Sequence, residues 1–484
     1  MLIILRGENK SGFWSALRRI ALIGLLANGS VLAQDPDLKP GFPVQTYHGG
    51  GTYAAGPGLH VLVGNIDDDP ELEIIVTGLA RGPLYAWNHD GSSVVGWPLA
   101  DSFGAGYPAL GNLSETWPGC QIFSAYFGRW LSAYSGSGQA LSGWPREALN
   151  FLGRPAALAD VNGDGIDEIF IGGNDGYLHG MRADGTSLPG WPVEGSGIGA
   201  DRVTPAVADL DGDGIPEIVT VSGGGAGGEQ VLAYHVDGRL VDGFPARVSG
   251  GGPYKWLAIG DVDGDASPEI VVVTGGVYIF AADGTLKRLI RINERFPVGT
   301  APALADLNGD GRPEIIVQTN EALYAWYGNG NPVGSFPQRF LGGLYQSTNS
   351  APVVGDIDGD GEPEIVVVLK ELGSQWGRVW GYWRNGGLHP RLFKRLLLGH
   401  GGVPAIADLD GDGRNEIIVI GDYWDGRAGY YDKVWVYDLG GPRHGPIEWG
   451  QLGNGPRHQN RYLRPSARIG IEQCKINAGP SGWR

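Results

Sequence analysis

The sequence is poor in the residues that build thiolate and phosphate sites. Its 484 residues include only two cysteines, Cys120 and Cys474. Two cysteines so far apart exclude a thiolate metal cluster and a disulfide framework, and they leave either one long-range bridge or two separate thiols. Basic residues are also few, since 36 Lys and Arg against 53 Asp and Glu give a formal net charge of −17. This balance argues against a nucleic-acid partner, because phosphate binding needs clustered Lys and Arg.

Long hydrophobic runs are missing as well. The most apolar segment, "IALIGLLANGSVLA" at 20–33, follows Arg18 and Arg19 and is too short to cross a bilayer. It ends in small residues at a typical cleavage position, so we predict a secretory signal peptide over 1–33. An N-terminal anchor that is not cleaved is the alternative. We expect a mature chain with no membrane span that is secreted, periplasmic or held at the cell surface.

Glycine, by contrast, is abundant, and it belongs to a repeat. An acidic loop followed by a strand-like run, as in "DLNGDGRPEIIV" at 306–317, occurs in eight units. The units start at Asn65, Asn112, Asp160, Asp209, Asp261, Asp306, Asp356 and Asp408. A period of about 50 residues is typical of propeller blades.

Each unit has the pattern of four short strands. A small-residue stretch such as "PALADL" precedes the loop, "EIIV" or a similar run follows it, and a third segment ends in an Asp-Gly or Asn-Gly turn. The unit closes with Gly-Trp-Pro or Gly-Phe-Pro. We predict an all-β fold, a single β-propeller of four-stranded blades over 34–464, with a C-terminal tail at 465–484. Eight loops predict eight blades, and seven blades with one atypical unit is the alternative.

The two ends of the repeat region predict how the ring closes. "GFP" at 41–43 ends a unit that has no beginning, whereas the last unit has no clear closing segment. We expect an N-terminal strand to complete the last blade, which would remove two open sheet edges. The segment "WGQLGNGPRHQNRY" at 449–462 is expected to pack on that last blade.

The acidic loop has the chemistry of a calcium site. Oxygen-bearing side chains stand at positions 1, 3, 5 and 9, with glycine at position 6 and a backbone carbonyl at position 7. Ca²⁺ takes six to eight oxygen ligands. The order matches the first half of an EF-hand loop, although the last acid comes earlier and strands flank it. Repetition in seven units argues against seven unrelated Asx turns.

We therefore predict up to seven Ca²⁺ ions, which would hold the first hairpin of each blade. The predicted ligand residues, with those at position 7 contributing their carbonyls, are Asn65, Asp67, Asp69, Glu73, Asp160, Asn162, Asp164, Ile166, Glu168, Asp209, Asp211, Asp213, Ile215, Glu217, Asp261, Asp263, Asp265, Ser267, Glu269, Asp306, Asn308, Asp310, Arg312, Glu314, Asp356, Asp358, Asp360, Glu362, Glu364, Asp408, Asp410, Asp412, Arg414 and Glu416.

Three units depart from the pattern. Ala266 and Pro70 stand where the other loops have glycine, and proline cannot adopt positive φ, so we expect weaker or altered binding at both. The second unit, "NLSETWPGCQI", has a single acid, Glu115, and is expected to bind no ion. No catalytic residue is predicted, because the nine histidines form no nucleophile–base spacing. No organic cofactor is predicted, because the sequence has no vicinal cysteine pair and no second domain that would hold one.

The loops resemble the D-x-[DN]-x-D-G-x-x-[DE] signature of the FG-GAP/VCBS repeat family, to which the integrin α propeller belongs. "SFGAGYP" at 102–108 is loosely similar to the element that names the family. The resemblance implies a calcium-binding propeller of the secreted bacterial type, a binding or adhesion module for extracellular protein or glycan, expected here as a monomer. Because some rhamnogalacturonan lyases have a related eight-bladed arrangement, a polysaccharide-active enzyme or its accessory domain is the alternative. The Tyr- and Trp-rich segment 421–433 is the best candidate for a binding loop.

Overall fold

The computed structural model describes the chain from residue 35 to residue 462, with gaps. The described residues are 35–46, 60–67, 69–77, 83–99, 107–125, 130–147, 155–173, 175–195, 204–225, 228–248, 255–292, 294, 300–340, 345–346, 350–398, 402–424, 430–455, 457, 459 and 461–462. The predicted signal peptide (1–33) and C-terminal tail (465–484) lie outside them. Within them no helix has the length and apolar character needed to cross a bilayer.

The described chain forms eight antiparallel sheets, and each sheet is one blade. The strands begin with β1 (Val44–Gln45), which precedes blade 1. Blade 1 contains β2 (Val61–Gly64), β3 (Glu73–Thr77) and β4 (Leu84–Trp87), and blade 2 contains β5 (Pro108–Gly111), β6 (Gln121–Ala125), β7 (Trp130–Tyr134) and β8 (Arg146–Glu147). Blade 3 contains β9 (Ala157–Ala159), β10 (Glu168–Gly172), β11 (Tyr177–Met181) and β12 (Val193–Glu194). Blade 4 contains β13 (Ala206–Ala208), β14 (Glu217–Gly225), β15 (Gly228–Tyr234) and β16 (Ala246–Val248).

The second half of the ring follows the same plan. Blade 5 contains β17 (Trp256–Gly260), β18 (Glu269–Val273), β19 (Gly276–Phe280) and β20 (Leu286–Arg291), and blade 6 contains β21 (Ala303–Ala305), β22 (Glu314–Gln318), β23 (Ala322–Trp326) and β24 (Gln338–Arg339). Blade 7 contains β25 (Tyr345–Gln346), β26 (Val353–Gly355), β27 (Glu364–Glu371), β28 (Trp376–Trp383), β29 (Leu388–Leu397) and β33 (Ile447–Trp449). Blade 8 contains β30 (Ala405–Ala407), β31 (Glu416–Trp424) and β32 (Tyr430–Tyr437), together with β1. A single 3₁₀ turn, Leu452–Asn454, is the one helical element among the described residues.

The blades form a closed ring. The innermost strand of each blade contacts the innermost strand of the next, and β30 of blade 8 contacts β2 of blade 1. His60 and Val403 form a parallel bridge at this junction. The predicted all-β propeller with eight blades is confirmed, and the seven-bladed alternative is wrong. In blade 8, β1 pairs with β32, with Val44 opposite Val434.

The hydrophobic core lies between blades. In β18 of blade 5, Ile270 and Val272 pack against blade 4, whereas Val271 and Val273 pack against blade 6. All four are fully buried. Because successive side chains of a strand point to opposite faces, a strand covered on both faces reads as a continuous apolar run. This explains why the "EIVVV" segments show no alternation of polar and apolar residues.

The Gly-Trp-Pro segments of blades 1, 2 and 3 join each of these blades to the next at the outer edge. The indole Nε1 of Trp97 donates to Gly136 O in blade 2 (2.6 Å), and that of Trp191 donates to Val236 O in blade 4 (2.8 Å). Trp144 makes the corresponding bond to Ala183 O of blade 3 (2.8 Å). A buried indole needs a partner for its N–H, and here the partner is the turn of the next blade.

The C-terminal run, meaning the described residues between 447 and 462, lies along the inner strands at the centre of the ring. β33 pairs with β26 of blade 7. Further hydrogen bonds reach blades 8, 1, 3, 4 and 5, from Ile406 N to Gly450 O (2.8 Å), Val63 N to Gln451 Oε1 (3.1 Å), Leu158 N to Arg457 O (2.9 Å), Val207 N to Gln459 O (3.0 Å) and Tyr462 N to Ile259 O (2.7 Å). This segment contacts the last blade through Gly450, as expected, and its other contacts extend around the axis.

Cys120, directly before β6, is disulfide-bonded. The reading of two separate thiols is therefore wrong. Cys474 lies outside the described residues. Disulfides persist mainly in oxidising compartments, so this bond is compatible with export.

A substitution at Gly190 tests the contact between blades. Gly190 has φ of 83°, and a Cβ there would lie 2.0 Å from Asp237 O of the next blade. Gly228 has a similar φ of 80° but nothing within 4 Å of its Cβ position. Gly228→Ala should cost about 1–2 kcal/mol for the left-handed backbone alone. Gly190→Ala should cost about 1–3 kcal/mol more, because the Asp237 turn must move.

Thermal and denaturant unfolding of the two variants would measure this difference. Equal losses of stability in both variants would contradict the importance of the contact between blades 3 and 4.

Candidate metal centres

The acidic loops connect the innermost strand of a blade to its second strand. In blade 6, for example, β21 ends at Ala305, the loop starts at Asp306, and β22 begins at Glu314. The innermost strands run in the same direction around the axis, so the loops share one face of the ring. The last ligand position of each loop is also the first residue of a buried strand, which fixes its side chain.

Carboxylate and amide oxygens organise the loop backbone. In blade 6, Asp306 Oδ1 accepts from Gly309 N and Oδ2 from Gly311 N, both at 2.7 Å. Asn308 Oδ1 accepts from Asp310 N at 2.8 Å. Gly309 and Gly311 have φ of 78° and 89°, which explains the two glycines of the motif. The Asp at position 1 therefore shapes the turn with both oxygens.

The residues at position 7 enter the same scaffold through their N–H groups. Each donates to the carboxylate at position 5, as the pairs Ile166–Asp164 (2.8 Å), Ile215–Asp213 (2.7 Å), Ser267–Asp265 (2.9 Å), Arg312–Asp310 (2.9 Å), Glu362–Asp360 (2.8 Å) and Arg414–Asp412 (2.8 Å). This bond fixes the backbone on the N-terminal side of the residue whose carbonyl is the proposed ligand.

The glutamate at position 9 is buried in all seven loops. Its Oε2 accepts from the backbone N–H of position 2, in the pairs Glu73–Ile66 (2.8 Å), Glu168–Val161 (3.1 Å), Glu217–Leu210 (2.9 Å), Glu269–Val262 (3.0 Å), Glu314–Leu307 (2.7 Å), Glu364–Ile357 (3.1 Å) and Glu416–Leu409 (2.8 Å). One oxygen of each glutamate thus holds the loop, and Oε1 is left for another partner.

Five of the seven loops bring three acidic oxygens within 4.8 Å of one another. These groups are Asp67, Asp69 and Glu73; Asp209, Asp211 and Glu217; Asp261, Asp263 and Asp265; Asp356, Asp358 and Asp360; and Asp408, Asp410 and Glu416. Such clusters could hold a metal ion. In blades 3 and 6, Asn162 and Asn308 instead donate through Nδ2 to Glu168 Oε1 (2.8 Å) and Glu314 Oε1 (2.9 Å).

Burial makes the ionised glutamates unfavourable. It raises the pKa of Glu73, Glu168, Glu314 and Glu364 to about 8, and the nearby Asp carboxylates add to this effect. Burial also raises the pKa of Glu416 to about 7. A positive charge at Oε1 would favour the ionised form and lower these pKa values.

In blades 1 and 7 no side chain of the described residues donates to the Oε1 atom of the glutamate. Glu73 Oε1 and Glu364 Oε1 are buried and have no hydrogen-bond partner among the described residues. In blade 7 the neighbouring Asp358 Oδ2 also contacts His389 Nε2 at 3.1 Å. A buried carboxylate oxygen without a donor is costly, so these two loops fit a bound cation.

Blades 5 and 8 differ, because a lysine lies at Oε1. Lys287 Nζ is 2.8 Å from Glu269 Oε1, and Lys39 Nζ is 2.5 Å from Glu416 Oε1. In blade 5 the turn is intact, since Ala266 adopts φ of 71° and its N–H donates to Asp261 Oδ2 at 3.0 Å. The departure in blade 5 is therefore the lysine more than the missing glycine. In blade 4, His235 Nδ1 is 3.2 Å from Glu217 Oε1.

Blade 2 replaces the glutamate by Gln121, the first residue of β6. Gln121 Oε1 accepts from Leu113 N (2.7 Å) and Ser114 N (2.9 Å), and its Nε2 donates to Gly119 O (2.9 Å). The neutral amide supplies both an acceptor and a donor. The glutamine thus holds the loop backbone as the glutamate does in the other blades, and it has no charge that needs compensation.

A family model described as FG-GAP-like repeat matches residues 160–220 and 306–367. These ranges contain the loops of blades 3, 4, 6 and 7, within a ring of eight blades. The protein is an FG-GAP repeat propeller. No curated protein matches the chain.

Two solved structures with TM-scores of at least 0.50 have a fold similar to this architecture. Rhamnogalacturonan lyase YesW is 17% identical with a TM-score of 0.54, over 90% of this chain and 83% of that one. The Dos1 propeller is 11% identical with a TM-score of 0.50, over 84% and 96%. The V. cholerae biofilm matrix protein Bap1 is 14% identical with a TM-score of 0.43, over 84% and 93%. At such identities the similarity shows the fold alone.

Sequence reasoning missed an exposed platform on blade 7 of the FG-GAP propeller. Arg395 lies over the ring of Trp376 (4.7 Å), and Arg378 lies over that of Phe393 (4.9 Å). Glu371 accepts from both guanidinium groups at 2.7–3.0 Å. Trp376 is 38% exposed and Phe393 43% exposed. The available signal was the alternation of aromatic and basic residues in "WGRVWGYW" and "LHPRLFKRLL".

The segment 421–433, predicted as the best binding loop, begins as a hairpin. β31 and β32 pair as far as Trp424 opposite Tyr430. Residues 425–429 lie outside the described residues. Its binding role stays a prediction.

The raised pKa values predict the pH dependence of the metal-free protein. A buried glutamate with an ordinary pKa near 4.5 and a folded pKa of about 8 stabilises the fold while protonated. Stability should therefore be greatest at the acidic end and fall as the pH rises from about 5 to about 8, by up to about 1.4 kcal/mol per pH unit for each group. Thermal unfolding in a chelator would measure this fall.

Excess Ca²⁺ provides the control, because a cation favours the ionised form and should flatten the dependence. Stability that rises between these pH values in the chelator would contradict the assignment.

Proposed function

We propose that the protein is an exported, calcium-binding propeller that acts as a binding or adhesion module for extracellular carbohydrate or protein. The signal-peptide pattern at 1–33 and the disulfide-bonded Cys120 both favour an oxidising, external compartment. The repeat gives a rigid ring, and rigid scaffolds carry binding surfaces on their exposed elements. A monomer is sufficient for this role.

The observation that carries the calcium proposal is the buried Oε1 of Glu73 and of Glu364. Each lies at the end of a loop whose other acidic oxygens gather at one point. Hard carboxylate oxygens in this number favour Ca²⁺ over softer metals. The bound ion would supply positive charge that compensates the buried carboxylates and joins the loop to the following strand.

Glu364→Gln tests this proposal in blade 7. In a chelator the variant should be as stable as the wild type or more so, because it replaces a buried carboxyl group whose ionisation is unfavourable. In Ca²⁺ it should be less stable than the wild type, because the ion loses a ligand. Melting temperatures with and without Ca²⁺ would show this crossing.

Glu362→Gln is the matched control from the same loop. Its side chain is exposed and pairs with Arg384, so only its backbone carbonyl belongs to the proposed site. It should keep the full response to Ca²⁺. Loss of the response in both variants, or in neither, would count against a site at Glu364.

The platform on blade 7 is the best-supported binding surface. Its rings are exposed, and two guanidinium groups and one carboxylate hold them in place. Flat aromatic faces beside hydrogen-bonding groups suit a sugar, which offers both apolar faces and hydroxyl groups. The same surface would also suit a protein partner, since Trp and Arg are common in binding hot spots.

Trp376→Ala tests this assignment on a glycan array and against extracellular matrix proteins. We expect binding to fall about tenfold or more, the scale of one interface aromatic. Trp383→Ala is the control, because Trp383 has a similar exposure of 36% at the other end of β28. An equal loss of binding in both variants would contradict the assignment of the platform as the binding surface.

The same glycan array distinguishes a binding module from the alternative function, a polysaccharide-active enzyme. Binding without a change in the glycan supports a binding module. New unsaturated sugar ends after incubation with pectin would favour a polysaccharide lyase instead.

A further inference from the structure

Two acidic loops of this propeller already contain a positive charge that belongs to the chain. Lys287 enters the loop of blade 5, and Lys39 enters that of blade 8. We propose that these two ammonium groups permanently take the place of a metal ion, so that blades 5 and 8 bind no calcium. The inference rests on the proposed calcium function for the other loops, and it lowers the expected number of ions from seven to at most five.

Lys287 occupies the position that a cation would need. Its Nζ is 2.8 Å from Asp263 Oδ2, from Asp265 Oδ2 and from Glu269 Oε1. These residues stand at positions 3, 5 and 9 of the loop. An ammonium group has three N–H donors, and each one here has a carboxylate partner. Calcium would bind the same oxygens at about 2.3–2.6 Å, so the ion and the ammonium group cannot both be present.

The lysine comes from a part of blade 5 that departs from the repeat. Lys287 lies in β20, the outermost strand, just after the Asp-Gly turn at 283–284. Its side chain reaches back to the loop at the start of the blade. Ala266 replaces the usual glycine in the same loop. Blade 5 thus differs from the other blades at two places, the loop itself and the outermost strand whose lysine enters the loop.

Lys39 reaches blade 8 from a different part of the chain. Its Nζ is 2.7 Å from Asp410 Oδ2 and 2.5 Å from Glu416 Oε1. Its backbone N–H donates to Val436 O (2.8 Å), next to the pairing of β1 with β32. The ion pair therefore joins the segment before β1 to the loop of blade 8. This junction would keep its charge compensation when calcium is removed.

The contrast with blades 1 and 7 defines what the lysines do. In those loops the glutamate Oε1 has no partner among the described residues, whereas in blades 5 and 8 it has a lysine. A bound lysine loses little translational freedom, because it is part of the chain. A free ion would first have to break the short ion pairs of the lysine with the loop carboxylates.

Calcium stoichiometry tests the proposal with the full mature chain, by equilibrium dialysis and by calorimetric titration with Ca²⁺ alone. Lys287→Ala should bind one ion more than the wild type, because it uncovers three carboxylates. Lys287→Gln is a second neutral variant in case the first folds poorly. Lys287→Arg keeps the charge and should keep the wild-type stoichiometry. Lys370→Ala, in β27 outside the acidic loops, should also leave it unchanged.

Melting temperature gives an independent readout. In a chelator, Lys287→Ala should melt below the wild type, and Ca²⁺ should raise its melting temperature more than it raises that of the wild type. Seven ions in the wild type, or no extra ion in both neutral variants, would overturn the proposal. A wild type that binds no ion would contradict the calcium function, and the gain or absence of an ion in the neutral variants would still decide the role of Lys287.

Discussion

The structure depends on one constraint, which is that a glutamate is buried at the point where the second strand of a blade begins. Its Oε2 holds the preceding loop through a backbone N–H, in pairs such as Glu314 and Leu307. Its Oε1 then needs a partner of its own, since a buried carboxylate without compensation is unfavourable. The chain meets this need in several ways. Lysine serves in blades 5 and 8, asparagine in blades 3 and 6, and histidine in blade 4.

In the remaining three blades, no side chain of the described residues compensates a glutamate Oε1. Blade 2 removes the charge altogether, because Gln121 forms the loop bonds as a neutral amide. Blades 1 and 7 keep the carboxyl group with no partner for Oε1 among the described residues, and there the proposed Ca²⁺ would supply the compensation. Similar loops can therefore have similar backbones and different chemistry. The outer edge is held separately, by the indole groups that bond to the next blade.

The repeat made most of the fold predictable from sequence. The spacing of the loops, the glycines of the turns and the Gly-Trp-Pro segments are local signals, and they predict strands, blades and their number. Lys39 could not be assigned in this way, because it lies 377 residues before Glu416 and meets it only after the ring closes. The contacts of the C-terminal run beyond the last blade could not be predicted for the same reason. Its partners, such as Leu158 and Val207, are distant in sequence and meet it at the axis.

Hydrogen–deuterium exchange with and without Ca²⁺ tests the central claim most directly, because it reports each loop separately. The account predicts that Ca²⁺ slows exchange in the loops at 65–73 and 356–364. It predicts that the loops at 261–269 and 408–416 are equally protected with and without the ion. Equal gains of protection in all seven acidic loops, or no gain in blades 1 and 7, would contradict it.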